Sequence, residues 1–88
     1  KRTGRFRIYK ELVSEHPNEI IDMFYKLKII VVRAEMMYDR DAIEYIGISP
    51  FFKEIEPQYI THEYEIITHV DNGEYTYEVH EYDGVKVR

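Results

Sequence analysis

The residues best equipped for chemistry lie between Glu63 and His80. Asn72-Gly73 between alternating residues is a strong type I′ hairpin signal, because both central positions need positive φ. A two-residue loop there predicts Val70 opposite Tyr75, Thr68 opposite Tyr77, Ile66 opposite Val79, Glu65 opposite His80 and Tyr64 opposite Glu81. Glu63, Glu65, His69, Thr76, Glu78 and His80 then share one side. Tyr64, Ile66, Val70, Tyr75, Tyr77 and Val79 share the other. Two imidazoles among carboxylates could provide a general acid–base pair, with His80 tuned by Glu65, or ligands for zinc. That makes a metal-dependent hydrolase or ligand-binding domain one reading of Glu65, His69 and His80. A metal centre, however, needs at least three convergent ligands and a shielded second shell. A flat, wet sheet face offers neither, so plain cross-strand pairing is the simpler reading. No catalytic residue, metal or cofactor is assigned.

Other candidate sets are less specific. Asp39, Asp41 and Glu44 flank a turn in the manner of Mg²⁺ or Ca²⁺ ligands, but EF-hand spacing is absent and Arg40 sits among them. They read as a polar hairpin tip. Arg33 and Glu35 project from one face of an otherwise apolar strand, either in a cross-strand ion pair with Glu44 or a neighbour, or with Arg33 as an anion grip at the helix–sheet junction. Phe51 and Phe52 are adjacent, so one is expected inside and the other available to a partner. Lys1, Arg2, Arg5, Arg7 and Lys10 interleave with Phe6 and Tyr9 as in single-strand nucleic-acid binders. No zinc-finger, RNP or KH signature accompanies them. Gly-rich phosphate loops and nucleophile motifs are also absent.

The elements that would position these groups follow from periodicity. Ile20, Ile21, Phe24 and Leu27 form a helical stripe from Pro17 to about Lys28, with Glu19 and Asp22 near its start and Lys26 and Lys28 near its end. A short helical turn is expected over Ile8 to Glu15, with Ile8, Leu12 and Val13 on one face. Ile29 to Val32 is β-branched and opens a strand running to Met36. A polar turn over Tyr38 to Asp41 returns it as Ala42 to Ile48, where Gly47 marks a bulge or a close approach. Residues 49 to 58 form a loop. Tyr59 leads into the third strand and the Asn-Gly turn into the fourth, with Asp83-Gly84 as a further turn before Val85 to Val87. The expected fold is α+β: a four-stranded antiparallel sheet of two sequential hairpins, with one main helix packed on one face. Residues 1–10 read as a basic flexible arm loosened by Gly4, and residues 11–88 as a single α+β domain.

Eighty-eight residues leave a thin core, so stability must rest on large side chains, and nine Tyr and four Phe supply them. The absence of cysteine excludes a disulfide framework and fits an intracellular, cytoplasmic protein. No apolar run is long enough to span a bilayer. No signal peptide is visible, and a start at Lys1 is consistent with a trimmed or excised chain. Charge is uneven: five cations and no acid over residues 1–10, against twelve acids with Arg40 and Lys53 from Asp39 to Asp83. The net charge is −5. Such asymmetry either reflects a solvated surface or directs a basic arm to phosphates and an acidic face to a basic partner.

The run from Arg33 to Ile66, RAEMMYDRDAIEYIGISPFFKEIEPQYITHEYEI, resembles short uncharacterised proteins of tailed bacteriophages. The resemblance rests on a strand, a YDRD turn, an aromatic strand ending in Ser-Pro-Phe, and an acidic loop before a Tyr-rich strand. It implies an accessory phage protein that binds a host factor in the host cytoplasm, and carries no catalytic residue with it. The lack of a reactive constellation, the abundant Tyr, the acidic sheet face and the unpaired arm make the expected function that of a small non-enzymatic interaction protein. It presents Glu63, Glu65, Glu78, His80, Phe51 and Phe52 to a basic protein partner, or associates with itself as a homo-oligomer. The alternative is nucleic-acid binding through Lys1, Arg2, Arg5, Arg7 and Lys10.

Overall fold

The structure, a computed structural model, describes residues 2–54 and 61–82. Its elements are β1 (Thr3–Tyr9), α1 (Lys10–Glu15), α2 (Pro17–Lys26), β2 (Ile30–Met37), β3 (Ala42–Ile48), β4 (Glu63–Asp71) and β5 (Glu74–Glu81). The α+β class stands, but the sheet has five strands in the order β2-β3-β1-β4-β5 and two helices accompany it. The four-stranded, all-antiparallel sheet is thereby corrected. β1 lies between the two hairpins, antiparallel to β3 and parallel to β4.

The supposed flexible arm is the middle strand. Thr3–Tyr9 alternates with period two: Phe6 and Ile8 are buried on the helix side, while Arg5 and Arg7 point to the other. That alternation is the strand signal that the run of basic residues obscured. Gly4 does not loosen this segment; it admits the core. A Cβ there would lie 2.7 Å from the Phe52 ring and 2.8 Å from that of Tyr64. Residues 49–53 cross the start of β1 and meet β4, where the Lys53 N–H donates to the Tyr64 hydroxyl. Ser49 N–H donates to the Arg2 carbonyl, and the Arg2 guanidinium donates to the Phe52 carbonyl at 2.9 Å.

The helices cover the face that carries Phe6. Met23 and Leu27 are buried, and Ile20 and Phe24 pack beside them. The stripe is thus Ile20, Met23, Phe24 and Leu27, at the i, i+3, i+4, i+7 spacing of one helix face. Ile21, expected in it, is exposed. Ile8 belongs to β1 rather than α1, which buries no residue of its own. At the end of α2, Lys28 N–H donates to Tyr25 C=O and Ile29 N–H to Phe24 C=O, with Lys28 at φ 55. This is the Schellman arrangement, with lysine where glycine usually stands. The buried Ser49 hydroxyl donates to the last helical turn at Leu27 C=O, 2.8 Å away, and receives the Phe51 N–H.

Aromatic rings join the layers. Phe6 stacks on Tyr45 at 5.5 Å and meets Phe24 edge-on at 5.9 Å; Phe52 stacks on Tyr64 at 4.6 Å. Offset and edge-to-face contacts of this kind add to the apolar area that the rings bury. The β2–β3 ladder shifts register between Val31 and Arg33, opposite Gly47, where an added Cβ would lie 2.9 Å from the Ile29 side chain. The bulge lies in β2 rather than at Gly47 itself, whose role is the close backbone approach: an added Cβ would also lie 3.0 Å from the Ile30 carbonyl oxygen. The β4–β5 ribbon has the expected register throughout, from Tyr64↔Glu81 to Val70↔Tyr75 and Asp71↔Glu74 around Asn72 (φ 53) and Gly73 (φ 79). Its tyrosine side faces α2: the Tyr75 hydroxyl reaches the Glu19 carboxylate, and that of Tyr77 lies 3.3 Å from Asp22. The expected start of this strand at Tyr59 and the turn and short strand after Asp83 lie outside the described residues.

Candidate interaction surface on the sheet

The sheet face turned away from the helices carries most of the charged residues singled out from sequence. At its centre Arg5 and Arg7 lie side by side on β1, between Glu44 on β3 and Glu63 on β4. Arg7 reaches Glu63 at 3.2 Å and Glu44 at 3.8 Å; Arg5 lies 3.7 Å from each carboxylate. Strand pairing dictates this meeting, since Arg7 stands opposite Glu44 and Arg5 opposite Glu63. Both carboxylates are about four-fifths buried, with side-chain exposures of 19%. The Arg5 Nε hydrogen has no acceptor within hydrogen-bonding distance, so these contacts hold through charge rather than aligned hydrogen bonds.

Arg5 and Arg7, singled out for nucleic acid, and Glu63, singled out for a protein partner, face one another within the sheet. Lys10 faces Asp41 at 3.4 Å, and Arg2 is tied to the Phe52 carbonyl. Lys1 lies outside the described residues. Phe52, expected at a partner, is 1% exposed and belongs to the core, while its neighbour Phe51 is 55% exposed. One of the pair points in and the other out, as adjacency requires.

Further along, β4 and β5 form an acidic wing. Glu65 is exposed opposite His80, but His80 turns to Glu78 on its own strand, 2.7 Å away. His69 reaches the other oxygen of Glu78 diagonally across the strands, at 2.9 Å. The hydrogen bond from His80, with the charge of His69, holds the Glu78 carboxyl below the usual carboxylate range. All three side chains are about half exposed. Among the described residues no three His, Cys, Asp or Glu side chains converge as a metal site would require. The acids near the β2–β3 turn are also dispersed. Asp39 faces Arg40, Asp41 faces Lys10, and Glu44 faces the β1 arginines. Arg33 pairs with Glu35 two residues on, at 3.7 Å, not with Glu44. It lies on the face away from the helices, so it is not at a helix–sheet junction.

A cleft of about 700 Å³ opens where β1 and β4, paired only at Arg5↔Glu63 and Phe6↔Tyr64, part company. Ile8, Leu12, Met23 and Ile66 form its apolar wall, with Arg7 and Glu65 at its rim. Sequence reasoning missed it because it depends on the insertion of β1 between hairpins distant in the chain. Periodicity describes each strand but not its neighbour.

The Tyr77 hydroxyl is pushed up to about 12 by burial and then by the charge of Asp22. It braces the ribbon against α2 and belongs to the scaffold. No helix among the described residues is long and apolar enough to cross a membrane. Compared with known proteins, the chain matches no family model, no curated protein and no solved structure.

Proposed function

We propose that this chain is a non-enzymatic interaction protein that presents the carboxylate face of the β4–β5 ribbon to a basic protein surface. The observation that carries the reading is the segregation of charge. Arg5, Arg7, Lys10, Lys26, Arg33 and Arg40 each face an acid on β1–β3, on α2 or in the β2–β3 turn; the exceptions are Glu63, which takes a share of Arg5 and Arg7, and Glu81, which Lys53 reaches at 2.9 Å. From Glu63 to Tyr82 the sequence has six acids and no Lys or Arg. Glu65, Asp71, Glu74 and Glu78 are all exposed there. Phe51, turned outward, adds an aromatic contact of the kind that anchors interfaces. The resemblance to tailed-bacteriophage proteins would make the partner a host protein whose basic surface normally meets nucleic acid.

The test is the binding of a labelled arginine-rich peptide, followed by fluorescence anisotropy as salt is raised. The expected result is an affinity that falls steeply with salt, and that drops on the order of ten-fold in the double variant Glu65→Gln/Glu78→Gln. Binding that ignores both salt and the double variant would remove the acidic wing from the function.

A further inference from the structure

β2 is an outer strand of the sheet, and its sequence is complementary to itself. It is among the least protected strands in the fold: every residue from Ile30 to Glu35 is exposed, Ile30 at 67% and Val32 at 61%. An aliphatic strand with a free edge is a template for another strand. Which strand it takes is decided by Arg33 and Glu35. They lie on the same face, their side chains 67% and 65% exposed, with Ala34 between them. We propose that β2 pairs antiparallel with β2 of a second copy of this chain, about a two-fold axis at Ala34. Arg33 of each copy then lies opposite Glu35 of the other.

The register follows from charge. Centring the axis at Ala34 sets Arg33 against Glu35 twice, Ala34 against Ala34, and Val32 against Met36. Antiparallel strands must keep side chains on their own face, so the nearest alternatives move the axis by one residue. An axis at Arg33 sets arginine against arginine, and one at Glu35 sets glutamate against glutamate. Directly opposed unlike charges stabilise a strand pair and like charges destabilise it, which leaves the Ala34 register favoured. The methyl group of Ala34 allows close approach at the axis. The bulge leaves Val32 without a partner on β3, so regular pairing covers Arg33–Glu35 and closes where Val32 meets Met36. The other outer strand, β5, carries Glu74, Glu78 and Glu81 and has no Lys or Arg of its own to set against them across an axis.

A two-fold axis normal to the sheet keeps all helices on one side and makes a continuous ten-stranded sheet. It also sets the two β4–β5 wings at opposite ends, so the pairing is independent of any basic partner and failure of one reading leaves the other intact.

Sedimentation velocity of the whole chain over a concentration series tests the pairing. The unaltered chain is expected to approach twice its monomer mass as concentration rises. Arg33→Glu alone and Glu35→Arg alone are each expected to weaken association on the order of ten-fold or more. Mixing the two variants, or combining both changes in one chain, restores opposite charges across the axis and should restore the dimer. Circular dichroism checks that each variant folds. A chain that stays monomeric at every concentration, or a dimer indifferent to both single reversals, would overturn the proposal.

Discussion

Lys28 shows how a single side chain can oppose the backbone it occupies. It closes α2 at φ 55, where the Cβ of an L residue is crowded and glycine, or less often asparagine, usually stands. Lys28→Gly is expected to raise stability by about 1 kcal/mol, read as a higher urea midpoint with an unchanged slope. Tyr77 is a second case. Its phenol is an acid whose folded-state value, about 12, stands above the ordinary 10.0. The folded protein therefore holds this proton more tightly than the unfolded chain does. The stability so conferred is complete below pH 10 and drains away as pH rises from 10 toward 12. Burial also raises Tyr45, so the alkaline loss is shared. Thermal melts of Tyr77→Phe should accordingly fall less steeply with pH over that window, without becoming flat.

β1 shows how an element can be misread from its charge. The four basic residues among the first seven of the chain resemble an arm, yet Phe6 and Ile8, alternating with Arg5 and Arg7, point into the core. With Phe6 at 1% exposure and neighbours on both sides, β1 joins the two hairpins. Deleting residues 1–7 is therefore expected to abolish the cooperative melt, measured by far-ultraviolet circular dichroism. Removal of a true arm would leave the melting temperature unchanged. Phe6→Ala should cost about 3–5 kcal/mol, the range for emptying a large core site. The hairpin at Asn72-Gly73 is the opposite case. Its turn and alternation are local, so its register was legible residue by residue. Arg33 and Glu35 were placed on a common face for the same reason, while their pairing with each other depended on Glu44 being claimed by β1.

Across the whole molecule, protection should follow strand order. Amides of β1, in the middle of the sheet, are expected to exchange slowest with deuterium, and those of the outer strands β2 and β5 fastest. Uniform protection across all five strands would contradict that order. The same order explains what could be read from the chain alone. Strand alternation, the Asn-Gly turn and the α2 stripe are set by neighbours within a few residues, and they established the α+β class, the ribbon register and the inward tyrosines. The five-stranded order, the cleft beside β1, the arginine–glutamate cluster and the burial of Phe52 were decided only in three dimensions. Each depends on which strand lies beside which, and pairing between β1 and β4, some sixty residues apart, is chosen by global packing rather than by any local preference.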